Sequence, residues 1–273
     1  MTQTFDINID CGESFGNWVM GADAALMPHI TTANMACGFH AGDPMNMVET
    51  VRLAREHGVA VGAHPGLPDL RGFGRRVMSL SPEEVYADTL YQVGALTAVL
   101  NAHDMELHHV KPHGALYSML SKSEPLAEAF VQAVIELCPR PMIYYPAPAE
   151  RHAATRIAAK RGIDVVSELY FDLSYDDEGG LVLKRANEGA DLEDTKRRLA
   201  HFLEKGEVLS VNGNPVALEA RSVCLHGDGP NAVDLARTVG DGLKAAGYTI
   251  HEAKAAGYTA REAQAAGFSG EEG

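Results

Sequence analysis

Short apolar runs alternate with longer amphipathic segments along most of the chain. The first run, FDINID, alternates apolar and polar residues with the period of two that is typical of a strand. Further runs with strand character are TTANMA, VAVGAH, LHHVKPHG, PMIYYPAP, GIDVVSEL and SVCLHGD, and helical patterns lie between most of them. Repeated strand–helix alternation indicates a parallel sheet of the α/β class. Over 273 residues we predict a (β/α)-barrel-like fold, a distorted TIM type with about seven parallel strands.

Two of the predicted helices have clear boundary signals. In DPMNMVETVRLAREHG, Asp43 is a candidate N-cap, Pro44 suits the first helical position and Gly58 is a stop signal. In SPEEVYADTLYQVGALTAVLNAH, Ser81 and Glu84 have the spacing of a capping box. Both helices therefore have local reasons to begin where the pattern begins.

The composition disfavours several classes of function. With 23 Lys and Arg against 37 Asp and Glu, the formal net charge is −14, so the surface repels nucleic acids and anionic membranes. No apolar run approaches the roughly 20 residues needed to span a bilayer. The sequence begins without the pattern of a signal peptide and its four cysteines form no CxxC pair, which favours free thiols in a reducing cytoplasm. We interpret three of them as small buried apolar residues: Cys11, Cys37 and Cys224.

Polar and ionisable side chains follow six of the predicted strands, at the point where each strand ends. They are Asp10, Cys11 and Glu13; Cys37, His40 and Asp43; His64 and Asp69; Lys111 and His113; Glu168 and Asp172; and His226 and Asp228. Because the C-terminal ends of the strands in a parallel barrel share one face, we expect these side chains to converge on one cavity. A single histidine at such a position is more often structural than functional, so the recurrence is what favours a site. The stretch ANMACGFHAGD, rich in small residues, then forms one wall of the cavity.

The residue types at these strand ends allow several kinds of chemistry. Asp10 and Glu13 can serve as a general base or as metal ligands, and Lys111 can neutralise an anion. Sets of histidine and aspartate suit Zn²⁺ or a similar cation, although the HxxEH spacing is absent from the sequence. Gly227 and Gly229 precede a helical pattern and fit either a phosphate contact or a plain turn. The sequence has no GxxxxGK[ST] nucleotide loop.

A series of motifs resembles the LamB/YcsF family over roughly residues 5–245: DINIDCGE, ANMACGFHAGD, GAHPGLPD, FGRR, VKPHGALY and CLHGDG, in that order. The resemblance implies a barrel related to the polysaccharide deacetylases and a role as the A-type subunit of an ATP-dependent 5-oxoprolinase. The implied reaction is hydrolysis of the lactam of 5-oxo-L-proline to L-glutamate, coupled to ATP hydrolysis and carried out with two partner subunits, of the B and C types. The chain departs from the family pattern after Asp172, where Leu173 stands in place of an arginine.

For this reaction we predict roles for most of the strand-end residues. The predicted catalytic residues are Asp10, Glu13, Lys111 and His113, and the predicted substrate contacts are His40, His64, Glu168 and His226. The predicted ligands of a divalent metal ion are Asp10, His40 and His64, and the predicted phosphate contacts are Gly227 and Gly229. We expect three carboxylates in a single pocket, those of Asp10, Glu13 and Asp43. Lys111 would offset the charge of only one of them, which favours a bound cation there. Two alternatives stay open, a stand-alone metal-dependent amide hydrolase or carbohydrate deacetylase, and a non-catalytic binding barrel.

The character of the sequence changes near residue 245. AAGYT, AAGYT and AAGFS recur in register, and each places Thr or Ser three residues before Glu, as in a capping box: Thr249 with Glu252, Thr259 with Glu262, and Ser269 with Glu272. We therefore predict one catalytic barrel domain, residues 1–245, and a tail of short helices, residues 246–273. Packing of the tail on the barrel or on another copy of the chain in a homo-oligomer stays open beside a solvated tail.

Overall fold

Seven parallel strands form a closed ring at the centre of the molecule. The computed structural model describes residues 4–182, 189–227 and 229–254. Its strands are β1 (Thr4–Cys11), β2 (Thr32–Ala36), β3 (Ala60–His64), β4 (Leu107–Val110), β5 (Met142–Pro146), β6 (Asp164–Tyr170), β7 (Ser174–Tyr175), β8 (Leu181–Val182), β9 (Glu207–Leu209), β10 (Pro215–Ala217), β11 (Ser222–His226) and β12 (Thr249–Ile250). The ring runs from β1 to β6 and then to β11, which pairs with β1 and closes it. The prediction of a parallel (β/α)-barrel with about seven strands is confirmed.

Helices connect most strands of the ring. They are α1 (Asp23–Leu26), α2 (Pro44–His57), α3 (Pro82–Ala102), α4 (Gly114–Lys122), α5 (Glu124–Leu137), α6 (Ala153–Lys160), α7 (Leu192–Lys205) and α8 (Ala232–Ala245), with 3₁₀ turns at Met27–His29, Leu70–Gly72 and Ala149–Arg151. Asp43 caps α2 by accepting a hydrogen bond from Asn46 N, and Gly58 ends this helix in the left-handed conformation. The capping box of Ser81 and Glu84 starts α3. Within the described ranges, no helix has the length and apolar character needed to cross a membrane.

The alternating pattern of β1 divides its side chains between two environments. Ile7 and Ile9 are fully buried in the apolar core, where Ile7 packs against α8. Asp6, Asn8 and Asp10 point into the ring instead, where they hydrogen-bond to side chains of β2 or β11. The interior of the ring is therefore polar, and the apolar core lies between the ring and its helices. The period of two in FDINID predicts which residues reach this interior.

The C-terminal segment begins differently from the prediction. The spacing of Thr249 and Glu252 predicts the start of a helix, but Thr249–Ile250 forms β12, which pairs in parallel with Thr4 and Phe5 of β1. The reason is that these first residues of β1 extend beyond its pairing with β2 and β11, so their main-chain groups need other partners. Residues 255–273, with the two further predicted capping boxes, and Asp228 lie outside the described residues. The division at residue 245 stays a prediction.

Candidate active site

A buried ion-pair cluster lies at the C-terminal ends of the strands of the ring. Lys111 Nζ is 3.1 Å from Asp10 Oδ1 and 3.3 Å from Glu168 Oε1. Burial alone would lower the pKa of Lys111, but Asp10 and Glu168 raise it well above its ordinary value. Burial alone would raise the pKa of Asp10, but His64 and Lys111 hold it well below its usual range. At neutral pH Lys111 is therefore a cation and Asp10 an anion.

Two asparagines inside the ring fix the carboxylates of this cluster. Asn34 Nδ2 donates to Asp10 Oδ1 at 2.8 Å and to Asn8 Oδ1 at 2.7 Å. Asn8 Nδ2 donates in turn to Glu168 Oε2 at 3.1 Å. Neither asparagine is among the predicted site residues, although the alternation of FDINID places Asn8 on the same face of β1 as Asp10. Their hydrogen bonds orient carboxylates that would otherwise be free to rotate.

The sulfur of Cys224 is a further neighbour of the lysine. Cys224 Sγ lies 2.9 Å from Lys111 Nζ, and Tyr170 donates a hydrogen bond to the carboxylate of Glu168. Cys11, Cys37 and Cys224 are all buried, in agreement with their interpretation as small buried residues. Cys224 differs from the other two because its thiol also contacts a charged group of the site. Cys224 lies in the middle of β11, two residues before His226, and the alternation of the strand puts both on the same face.

Three histidines lie beside the ion-pair cluster. His64 Nδ1 is 2.7 Å from the carbonyl oxygen of Lys111, and His113 Nε2 is 2.8 Å from that of Phe73. A carbonyl oxygen only accepts, so each of these ring nitrogens carries a hydrogen and donates it. The remaining nitrogens, His64 Nε2 and His113 Nδ1, face each other at 3.0 Å. In neutral rings both carry lone pairs, which repel unless a proton or a metal ion lies between them.

The third ring, His40, has two nitrogens without a hydrogen-bond partner among the described residues. It is fully buried and stacks on His113 with ring centres 3.7 Å apart. Its Nε2 lies 3.7 Å from Glu13 Oε1. Burial lowers the pKa of His40 well below its ordinary value and that of His113 to about 3. Both imidazoles are therefore neutral at pH 7, the form that binds metal ions.

The donor atoms of the three histidines suit a divalent cation. One ligand nitrogen from each of His40, His64 and His113 lies within 4.8 Å of the others. Neutral imidazole nitrogens in such a group are typical ligands of Zn²⁺ and related ions. The prediction put Asp10 in this group and His113 among the catalytic residues. His113 supplies the third nitrogen of the group, and Asp10 Oδ2 lies 3.4 Å from His64 Nε2, so ligation by Asp10 stays a prediction.

Two glycines make room for the stacked rings. A Cβ atom on Gly66 would lie 2.5 Å from His40 Nδ1. A Cβ atom on Gly74, whose φ is +63°, would lie 2.7 Å from His40 Cβ and 2.9 Å from His113 Cδ2. The motifs GAHPGLPD and FGRR therefore contain glycine where the loop after β3 covers the histidines.

His226 forms a separate pair with Asp172. Its Nδ1 is 2.7 Å and its main-chain N 3.1 Å from Asp172 Oδ2. Burial alone would lower the pKa of His226, but Asp172 raises it to about 9, so His226 is protonated at pH 7. His226 and Asp10 are paired positions on the neighbouring strands β11 and β1. This places an acidic imidazolium next to the ion-pair cluster.

Two predicted strand-end carboxylates have local structural roles instead. Asp43 accepts hydrogen bonds from Asn46 N at 2.9 Å and Gly16 N at 2.7 Å, so it fixes the start of α2. Asp69 binds Arg76 and caps the 3₁₀ turn that follows it. The expectation that Asp43 shares one pocket with Asp10 and Glu13 is not supported, because helix capping occupies its carboxylate.

The two predicted phosphate-contact glycines lie in the connection between β11 and α8. Gly227 follows β11 directly and lies close to the carbonyl oxygen of Asp10. Gly229 precedes α8, and its carbonyl oxygen accepts a hydrogen bond from Ala232 N at 3.2 Å. This bond closes a turn directly before α8. Phosphate binding at this connection stays a prediction.

Comparison with known proteins gives the family. Residues 5–257 match the LamB/YcsF family. The chain belongs to this family. This LamB/YcsF protein is 46% identical over 249 residues to the 5-oxoprolinase A subunit of Thermus thermophilus, covering 90% of this chain and 98% of that relative. It is 47% identical over 234 residues to the 5-oxoprolinase A subunit of Thermococcus onnurineus, covering 85% of this chain and 90% of that relative.

Solved structures place this LamB/YcsF chain in the same fold. The crystal structure of a lactam utilization protein from Thermus thermophilus matches with a TM-score of 0.83 and 43% identity, covering 91% of this chain and 99% of that one. A putative cellobiose-phosphate cleavage protein from Enterococcus faecalis matches with a TM-score of 0.56 and 12% identity, covering 92% of this chain and 98% of that one. The second likeness concerns the fold alone.

Proposed function

We propose that this protein is the A-type subunit of an ATP-dependent 5-oxoprolinase that hydrolyses the lactam of 5-oxo-L-proline to L-glutamate. The observation that carries the proposal is the contact between an ionised Asp10–Lys111 pair and a group of three buried histidines at the C-terminal face of the barrel. Removing charged side chains from water lowers the stability of the folded protein, which argues against a non-catalytic barrel. Relatives that bear this name match nearly the whole chain at 46–47% identity. A cytoplasmic location is part of the proposal, supported by four buried free cysteines.

A divalent metal ion is part of the proposed site. His40, His64 and His113 would hold it, because their donor atoms converge and both nitrogens of His40 lack a hydrogen-bond partner among the described residues. When bound, such an ion polarises a carbonyl oxygen and lowers the pKa of a bound water to about 7.

The remaining side chains have roles that follow from their charges. The low pKa of Asp10 makes it a poor proton acceptor, so its carboxylate orients the attacking water by accepting a hydrogen bond. The other predicted catalytic carboxylate, Glu13, takes up the proton of that water. Its Oε1 lies 3.7 Å from His40 Nε2. His226, protonated through Asp172, donates a proton to the lactam nitrogen as the C–N bond breaks. Lys111 holds Asp10 and Glu168 in place.

ATP is assigned to the complex rather than to this chain alone. The sequence has no GxxxxGK[ST] loop, and a lactam is a poor electrophile until its oxygen is activated, for example by phosphorylation. We propose that two partner subunits, of the B and C types, supply the ATP-dependent activation. Both relatives are named as one lettered subunit of an enzyme, which supports partners of some kind.

Glutamate formation from 5-oxo-L-proline tests this proposal. The assay is run with ATP for this chain alone, for the candidate partner subunits alone, and for all three together. We expect glutamate only from the complete set. Steady ATP-dependent turnover by this chain alone would contradict the three-subunit assignment, and no turnover by the complete set would contradict the function.

The stand-alone hydrolase is the second candidate. The three-histidine group favours it, because metal-dependent amide hydrolysis needs no nucleotide. It predicts that the metal-loaded chain hydrolyses simple lactams or acetylated sugars without ATP. The same assay without ATP and without partners separates the two candidates.

A further inference from the structure

The proposed substrate carries a carboxylate, and this inference rests on the proposed function. The lysine of the ion-pair cluster is not free to pair with that carboxylate. Lys111 is buried and already lies against both Asp10 and Glu168, so it has no open side for a third carboxylate. An additional carboxylate there would be repelled by that of Asp10. In the proposed site the metal ion would polarise the lactam oxygen, so a different cation has to recognise the acid group of the substrate.

We propose that Arg75 is this cation and sets the specificity of the site for a carboxylate-bearing lactam. Arg75 is exposed, and its guanidinium makes no ion pair with any carboxylate in the described part of the chain. In a protein with a net charge of −14, an unpaired arginine beside a catalytic site is available to an anionic ligand. A guanidinium binds a carboxylate through two parallel hydrogen bonds, which fixes its orientation as well as its charge.

The position of Arg75 is fixed relative to the histidines. Its guanidinium carbon lies 5.2 Å from the ring centre of Phe73, whose carbonyl oxygen accepts the hydrogen of His113. The next residue, Gly74, accepts a hydrogen bond from Ala115 N at 2.9 Å. The stem of Arg75 packs over Gly114, where a Cβ atom would lie 3.5 Å from Arg75 Cγ.

These contacts hold the arginine one aromatic ring away from the metal-binding group. The ring of Phe73 lies 5.1 Å from that of His113 and 5.6 Å from that of His40, centre to centre. A five-membered lactam bound alongside the ring of Phe73 would direct its carbonyl oxygen toward the histidines and its carboxylate toward the guanidinium. His226 is the rival cation, but its Nδ1 is already bound to Asp172. Its imidazolium is assigned to the leaving nitrogen.

The test compares an acid with its neutral analogue. The reconstituted complex is assayed for the Michaelis constant of the acid, 5-oxo-L-proline, and for inhibition by 5-oxo-L-prolinamide, which has the same ring without the charge. Arg75→Ala should raise the Michaelis constant for the acid by about 10- to 100-fold and change the inhibition constant of the amide by less than about threefold. Arg75→Lys should recover part of the loss, because it keeps the charge and loses the paired geometry.

Arg71→Ala is the matched control, since Arg71 is exposed in the same loop and also has no ion pair within the described residues. It should leave both constants unchanged. An equal loss for acid and amide in Arg75→Ala, or a loss of acid discrimination in His226→Gln instead, would overturn the assignment. Weakened assembly with the partner subunits at an unchanged Michaelis constant would also overturn it. Failure of the wild-type complex to turn over 5-oxo-L-proline would remove the proposed function and this inference together.

Discussion

Gln92 binds both main-chain polar groups of Gly66. Its Oε1 accepts a hydrogen bond from Gly66 N at 2.9 Å, and its Nε2 donates to Gly66 O at 3.0 Å. Gln92 is buried on α3 and Gly66 lies against the ring of His40, so this clamp sets how close the loop after β3 comes to the histidines.

Replacing Gln92 should loosen the loop that covers His40. Gln92→Leu leaves two buried main-chain groups of Gly66 without partners, which should lower the free energy of unfolding by about 1–3 kcal/mol. Denaturant unfolding measures this loss. Asn101→Ala, an exposed amide on the same helix, is the control and should change stability by less than about 0.5 kcal/mol. Equal stability of the two variants would mean that the clamp contributes nothing.

Lys111 should be essential for folding because it neutralises buried carboxylates. Lys111→Met leaves Asp10 and Glu168 without their cation and should cost about 3–5 kcal/mol of stability. Adding Glu168→Gln to this variant should recover part of the loss, since one buried charge is removed. Lys122→Met is the control, because Lys122 is the last residue of α4 and lies outside the buried cluster. If the second substitution made the loss larger, the carboxylates would not be the cause.

The free energy of unfolding should fall with rising pH because His226 loses the proton that pairs it with Asp172. The pKa of His226 is about 9 in the folded protein and 6.5 as its ordinary value, so its contribution is complete below pH 6.5 and is lost as pH rises through 9. The contribution is at most about 3 kcal/mol. Unfolding midpoints between pH 6 and 9.5 should decline more steeply for the wild type than for His226→Gln. Parallel curves for the two proteins would mean that the pair does not stabilise the fold. His57→Gln, at an exposed helix end, is the control.

Metal binding should be measurable without the reaction. If the three histidines hold Zn²⁺, adding the ion to chelator-treated protein should raise the melting temperature, because a ligand that binds only the folded state stabilises it. His40→Ala and His113→Ala should each abolish the shift, and elemental analysis should show the same loss. His57→Ala should retain both. A shift that persists in His113→Ala would place the metal elsewhere.

Much of this site followed from one topological rule. The C-terminal ends of parallel strands share a face, so Asp10, His64 and Lys111 could be grouped from sequence alone, and the structure does bring them into contact. The same rule included Asp43 and Asp69, because a carboxylate that caps a turn follows a strand as closely as one that faces a cavity.

The residues that sequence analysis missed depend on which strands are neighbours. Asn34 contacts Asp10 because β1 and β2 pair in a register that places the two residues opposite each other. A linear pattern does not contain that register. The strand at Thr249–Ile250 is a similar case, since its pairing with β1 overrides a local capping signal.

The closure of the ring also determines when the site comes into existence. Ser222 of β11 donates a hydrogen bond to Asp6 of β1 across 216 residues, so the strand pair that closes the ring joins segments that are synthesised far apart in time. Contacts this distant in sequence are slow to form during folding. Until β11 is made, β1 lacks one neighbour, and Lys111 lacks the sulfur of Cys224. An emerging chain must therefore keep a row of carboxylates and amides in water until β11 has left the ribosome.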